Sequence, residues 1–200
     1  LSKGNIGDAM AIINETSDLP AICGRVCPHE KQCQGSCVLN KKGNPIQIGR
    51  LESFIADFDT KMQFNRERIV QKSRGKIAVI GSGPAGLTVA GNLARKGFSV
   101  TIYEGQKDLG GVLMFGIPEY RLPKTVVRAE IEKIEELGVN FITNTMVGEN
   151  GLTVDSLFTQ GFDAIFMGTG TSVPIDMNDV KGARLRGVNQ ATYLLHQVNA

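Results

Sequence analysis

Between residues 76 and 104 the period of the apolar positions changes twice, and each change marks a predicted element. Ile77, Ala78, Val79 and Ile80 form an unbroken apolar run after Lys76, the pattern of a strand buried on both faces. Val89, Ala90, Leu93 and Ala94 then recur at helical spacing, and Gly97 supplies the stop. Residues 98–103 return to a strand, which ends on the carboxylate of Glu104. Farther along, Val127, Ile131, Ile134 and Leu137 lie on one face of a predicted helix over 126–137, with Arg128, Glu132, Lys133 and Glu136 on the face toward water. Gly138 closes that helix, and residues 139–142 predict the next strand. Residues 163–170 predict another buried strand running into a glycine turn. Upstream, Ile6, Met10 and Ile13 predict a helix over 6–15, and Ile48, Leu51, Phe54, Ile55, Phe58 and Met62 give a longer one over 48–69 an apolar face. The charged stretch 66–75, ending on glycine, reads as a linker.

The first strand and its helix are joined by Gly81-Ser82-Gly83-Pro84-Ala85-Gly86, and this turn changes the picture from fold to chemistry. Gly81 permits the tight turn out of the strand, Gly83 leaves room for a pyrophosphate to approach the backbone, and Gly86 lets the helix pack on the sheet. An anion then sits at the positive end of the helix dipole, on free N–H groups. Glu104, about 20 residues on, is placed to accept from a ribose diol, and a carboxylate there disfavours a 2′-phosphate. The site suits FAD or NAD better than NADP. Gly110 and Gly111, in Asp108-Leu109-Gly110-Gly111-Val112, would let the chain pass close to a long extended cofactor, which points to FAD. The fold class is α/β: a Rossmann-like FAD-binding domain over 75–200, preceded by a small helical domain over 1–70.

Charge adds little. With 22 Lys and Arg against 20 Asp and Glu, the formal net charge of +2 and the lack of a basic block give no reason to expect nucleic acid. No apolar run approaches the roughly 20 residues of a membrane span. Without a signal peptide the expected setting is cytoplasmic. The chain opens on Leu1 rather than Met, which suggests a longer polypeptide.

All four cysteines fall between residues 23 and 37, spaced Cys23-x3-Cys27-x5-Cys33-x3-Cys37. Disulfides suit a reducing compartment poorly, and zinc sites more often pair their ligands across a longer loop. Thiolates packed this densely beside Pro28 and glycines suit an iron–sulfur cluster better. His29, in the same loop, reads as a solvated side chain rather than a ligand.

The combination CGRVCPHEKQCQGSC, IQIGRLE, AVIGSGPAGLTVA, YEGQKDLGGVLMFGIPEYRLP and MGTGTSVP resembles the small-subunit family of NADPH-dependent glutamate synthase. It is similar also to the flavin and iron–sulfur modules of dihydropyrimidine dehydrogenase and of the ferredoxin:NADP oxidoreductase large subunit. The resemblance implies two [4Fe-4S] clusters in the whole protein. Cys27 and Cys33 would serve one, with an upstream cysteine and Glu52, which stands where dihydropyrimidine dehydrogenase has a glutamine ligand. Cys37 would serve the other with upstream cysteines, while Cys23 would be a structural thiol. It places FAD on Ser82, Gly83, Pro84, Ala85 and Gly86, on Glu104, on Gly110, Gly111 and Val112, on Arg121 and on Val147, with Gly168, Thr169 and Gly170 as a second rank. Electrons would pass from NAD(P)H, bound by a domain absent from this chain, through FAD and the clusters. Their acceptor would be a partner oxidoreductase subunit, such as the glutamate synthase large subunit, or another copy of the chain. The alternatives are a related ferredoxin/NADP oxidoreductase or pyrimidine-reducing module, or an assembly scaffold that keeps only the fold. The 200 residues alone would form no complete cluster and hold FAD weakly if at all.

Overall fold

The computed structural model describes residues 1–63, 71–171, 173–175, 177 and 179–199. Three helices come first: α1 (Ile6–Asn14), α2 (Pro20–Val26) and α3 (Ile48–Met62). They are followed by β1 (Lys76–Ile80), α4 (Pro84–Arg95), β2 (Ser99–Tyr103), α5 (Val112–Phe115), α6 (Lys124–Glu136), β3 (Asn140–Ile142), α7 (Val154–Thr159), β4 (Ala164–Met167) and α8 (Ala191–Asn199). The apolar run of β1 pairs in parallel with β2 on one side and β4 on the other, giving the sheet order β3-β2-β1-β4. Lys76 stands opposite Ser99 and Ile80 opposite Tyr103, so β1 and β2 end level with each other. That register sets the glycine turn after Ile80 beside Glu104, the residue after Tyr103.

Ala78 and Val79 are fully buried at the centre of the sheet. On one face, Leu87, Ala90 and Ala94 of α4 and Val127, Ile131 and Ile134 of α6 pack with Leu19 and Ile22, so the N-terminal helices share the core of the sheet. Ala78, Ile80, Tyr103 and Leu157 of α7 fill the other face. Local signals set the helix ends. Asn5 caps α1 by accepting from the Asp8 N–H at 3.1 Å. Thr153 and Ser156 form a reciprocal capping box at α7.

Two sequence expectations are corrected. Leu51, Phe54 and Met62 of α3 are 41%, 53% and 54% exposed, and the buried face carries Gly49, Ile55, Ala56 and Asp59 instead. Helix α2 selects that face by close approach: a Cβ on Gly24 would lie 2.6 Å from the Ser53 nitrogen and 2.7 Å from the Gly49 oxygen. Strand β4 is not buried but forms the sheet edge, with Ala164 and Met167 exposed. Helix α3 ends at Met62 with Gln63 in the left-handed region. Residues 64–70, where the helix was expected to continue into the linker, lie outside the described residues.

Polar contacts join the N-terminal helices to the sheet layer. Asp18 accepts from Arg95 and Asn92 of α4, and Lys133 of α6 reaches Asp59 of α3 at 3.7 Å and Glu130 at 3.1 Å. Glu130, 1% exposed, lies buried beside Ala21 in the first turn of α2, and its Oε2 has no hydrogen-bond partner. Lys72 donates to the last carbonyls of α4 and α6, at Ala94 (3.2 Å) and Leu137 (2.6 Å), where the helix dipoles favour a cation.

Burial holds the Glu130 carboxyl above the ordinary carboxylate range, against the pull of Lys133, while the nearby Asp59 adds to the rise. The native state therefore binds this proton more tightly than the unfolded chain. The associated stability is present at low pH and is lost as pH climbs through the raised value. Glu130→Gln keeps the side chain's shape beside Ala21 and removes the buried charge. Its melting temperature should exceed that of the parent at pH 8, by about 2–4 °C per kcal/mol recovered, with the difference closing on acidification. A lower melting temperature at pH 8 would contradict this account of the junction.

Candidate cofactor sites

The three motif glycines do different work. Gly81 has φ +98°, and a Cβ there would lie 2.5 Å from the Gly168 oxygen. A Cβ on Gly86 would lie 1.9 Å from the Gly81 oxygen. Both positions are closed by packing of the turn, α4 and the stretch after β4. Gly83 is the reverse: at φ −67° its backbone suits any residue, and a Cβ would meet nothing within 4 Å. The open side of Gly83 adjoins the start of α4, which has no side-chain cap and has Pro84 in its first turn. Pro84 and Ala85 are exposed there. Gly111 (φ +52°) closes on the same turn, since its Cβ would lie 3.0 Å from the Gly83 Cα. These features fit a pyrophosphate laid across Gly83 on the helix end.

Glu104 is 8% exposed and organises the cradle from below. Its Oε2 accepts from the Ser82 N–H (2.9 Å) and Oγ (2.5 Å), and its Oε1 accepts from the Gln106 N–H (2.9 Å). The Ser82 hydroxyl in turn accepts from the Gly110 N–H at 3.0 Å. A carboxylate offers about four acceptor positions, so Glu104 retains room for a ribose hydroxyl. Ser82 is fully buried, so its hydroxyl acts between Glu104 and Gly110 and supports the site from within.

The other expected FAD residues differ in exposure. Val112 is 56% exposed at the start of α5, above buried Leu113 and Met114. Arg121 is exposed in the turn after Pro118, anchored by its fully buried neighbour Leu122. Lys124 fixes the loop between them: its Nζ donates to the Leu113 oxygen at 3.0 Å and to the Ile117 oxygen, and burial lowers its pKa. The Thr145 N–H donates to the Glu104 oxygen at 2.8 Å and brings the following residues to the ribose end. The half-buried Val147 side chain packs against the core on the α7 face of the sheet. The turn after β4 lies where expected, with the Gly168 N–H on the Ile80 oxygen at 2.8 Å.

Cys23 lies within α2 and Cys27 ends it, with the Cys27 N–H donating to the Cys23 oxygen at 3.2 Å. The His29 carbonyl then accepts from the N–H groups of Gln32 (3.1 Å), Gln34 (2.9 Å) and Gly35 (3.3 Å), folding the loop that holds Cys33. Cys37 opens the 3-10 turn Val38–Lys42. All four thiols are free and partly exposed. Burial, then Cys27 and Glu52, push the Cys23 thiol up to about 11. Backbone N–H groups of Ile46 and Leu39 lower the pKa of Cys37. Burial raises the Glu52 carboxyl, while the Ser17 hydroxyl, at 3.3 Å, and His29 pull it back.

The structure thus gathers Cys23, Cys27 and Glu52, whereas the resemblance pairs Cys27 with Cys33 and Glu52. Among the described residues no three such donors are set to hold a metal ion. The donor chemistry nonetheless fits an iron–sulfur cluster, with four unbridged thiols and a buried His29 Nε2 that has no hydrogen-bond partner. Sequence patterns missed Lys124, although a lysine starting a helix is at the wrong end for the dipole and signals another partner. They also missed Glu130, which stands three residues after Val127 and four before Ile134 and so falls on the apolar face, where a carboxylate signals a buried polar role.

A cleft of about 170 Å³ between the halves of the molecule, lined by Asp18, Asp59, Arg95, Glu130 and Lys133, is too small for a dinucleotide. No helix among the described residues is long and apolar enough to cross a membrane.

Residues 1–64 match the family of dihydropyrimidine dehydrogenase domain II, 4Fe-4S cluster, and residues 79–122 match the NAD(P)-binding Rossmann-like domain. The glutamate synthase [NADPH] small chain of Halomonas elongata is 36% identical over 201 residues, spanning 100% of this chain and 42% of its own. The NAD-dependent dihydropyrimidine dehydrogenase subunit PreT of Escherichia coli is 44% identical over 153 residues, 76% of this chain and 37% of its own. The putative oxidoreductase UacF of Escherichia coli is 39% identical over 173 residues, 86% of this chain and 27% of its own. The chain therefore spans well under half the length of these relatives. Among solved structures, FprA from Mycobacterium tuberculosis shares the fold, with TM-score 0.54 and 22% identity over 62% of this chain and 28% of its own. In one chain, a match to a 4Fe-4S domain is followed by a match to an NAD(P)-binding Rossmann-like domain, and most of the chain's length is similar to the glutamate synthase small chains and the PreT subunits.

Proposed function

We propose that this chain is the iron–sulfur and FAD-binding part of an NAD(P)H-dependent oxidoreductase. Its division is a cluster-binding part over 1–70 and a flavin-binding part over 75–200. The observation that carries this reading is the open side of Gly83, set between the α4 N-terminus and Gly111 and backed by the Glu104 network. When bound, FAD supplies a two-electron acceptor that can return electrons one at a time. The chain's own part is to hold the pyrophosphate on the first turn of α4, to orient the ribose on Glu104, and to keep Gly110, Gly111 and Arg121 in place through Ser82 and Lys124. Cys27, Cys33 and Cys37, with Glu52, supply cluster ligands, completed by donors outside the described set. The partner is a second oxidoreductase subunit in a reducing cytoplasm. A glutamate synthase large subunit is one such partner, favoured by a small-chain relative that aligns with all of this chain. The 44% identity to PreT supports a pyrimidine-reducing assembly as the second reading.

Gly83→Ala tests the flavin site without disturbing the fold, because its Cβ projects into open space. Its melting temperature without ligand should match the parent, while FAD affinity falls about tenfold or more, ~1.4 kcal/mol. Unchanged affinity would remove Gly83 from the site. Gly86→Ala, by contrast, should destabilise the chain even without ligand, since its Cβ would overlap the Gly81 carbonyl.

The cluster ligands are tested by iron content. Cys27→Ser, Cys33→Ser and Cys37→Ser should each lower iron per flavin in the full-length protein, while Cys23→Ser leaves it near the parent value. Loss of iron in Cys23→Ser equal to that of the other three would show that the grouping of Cys23 with Cys27 and Glu52 is the ligand set.

A further inference from the structure

His29 is held more firmly than a solvated loop residue. Its N–H donates to the Cys27 oxygen at 2.9 Å, and its carbonyl accepts from three loop amides, at Gln32, Gln34 and Gly35. The backbone is thereby locked at the crossing of the cysteine loop with α3. The ring lies against Gly49, where a Cβ would come within 2.2 Å of both Cε1 and Nε2. Any side chain at position 49 would expel it. Nε2 is buried by this contact and has no partner. A buried nitrogen with neither water nor acceptor is costly, about 1–3 kcal/mol, and such a group calls for an acceptor that the folded chain alone does not supply.

Glu52 follows Gly49 by three residues on α3, on the same helix face. Ser17 holds one of its oxygens, Oε1, at 3.3 Å. The cysteine loop, α3 and the segment before α2 thus converge on one carboxylate. Ligating carboxylates are typically oriented by hydrogen bonds from residues that do not touch the metal.

Resting on the iron–sulfur reading above, we propose that His29 is a positioning residue that donates through Nε2–H to the Glu52 carboxylate and, with Ser17, holds it as the non-cysteine ligand of the cluster. Gly49 serves the same arrangement by making room for the ring. His29 itself does not bind iron.

The test compares the iron-loaded full-length protein with His29→Leu, His29→Gln, Glu52→Gln and the double variant His29→Leu/Glu52→Gln. The readouts are the cluster's reduction potential, its electron paramagnetic resonance signal and iron loss to a chelator. Loss of a donor to an anionic ligand disfavours the reduced, more negative cluster. His29→Leu should therefore lower the reduced-to-oxidised ratio at a fixed potential about tenfold, 59 mV for one electron, and weaken iron retention about 10–100-fold. His29→Gln keeps an N–H donor and should restore most of the potential. In the Glu52→Gln background, removing His29 should add little, because its effect runs through the carboxylate. A His29→Leu protein that keeps iron, potential and signal overturns the proposal while leaving the iron–sulfur reading intact. So does an undiminished effect of His29→Leu in the Glu52→Gln background. A parent protein that takes up no iron overturns both.

Discussion

The candidate flavin site depends on one buried carboxylate. Glu104 binds the turn after β1 through both the N–H and the hydroxyl of Ser82, binds its own following loop through Gln106, and reaches Gly110 through Ser82. The turn after β1 and the loop after β2, distant in sequence, are fixed around a single charge before any ligand arrives. Hydrogen bonds to a charged group are stronger than neutral ones, about 1.5–3 kcal/mol each, and here they converge where a cofactor must meet several loops at once. The charge that would recognise a ribose is the charge that assembles the recognition surface. A neutral replacement at Glu104 would lose affinity and order together.

The second constraint is how the cysteine-bearing helices meet the sheet layer. Leu19 and Ile22 enter the main apolar core, and around them the junction is ionic: Asp18 with Arg95, and Asp59 and Glu130 with Lys133. Glu130 lies buried beside the first turn of α2, the helix that carries Cys23 and ends at Cys27. A side chain of helix α6 thus meets the helix that holds two of the cysteines. A buried carboxylate is a poor source of stability but fixes geometry well, which suits electron transfer across a fixed distance.

Much of this was legible in the sequence, for physical reasons that differ by element. Strands β1 and β2 and helix α4 followed from period and glycine placement because each is buried on a face matching its pattern. The apolar period of α3 misled because Leu51 and Phe54 point outward; the packed face uses Gly49 and Ala56, whose value is smallness rather than hydrophobicity. The run of β4 read as central, yet edge position depends on which strands lie beside it, a nonlocal fact. At the candidate site, Gly83 and Glu104 stand out in the sequence through their spacing. The inward role of Ser82 depends on burial, and Lys124 and His29 act through carbonyls and helix crossings that no local pattern encodes.

Isothermal titration of the protein freed of flavin, with ADP-ribose and with its 2′-phosphorylated form, tests the central claim most directly. A carboxylate already holding three protein donors and keeping one acceptor position should take a free ribose hydroxyl and repel a phosphate. The account predicts that ADP-ribose binds about tenfold or more tightly than the 2′-phosphorylated form, a gap of ~1.4 kcal/mol or more. Equal binding of the two, or preference for the phosphate, would contradict it.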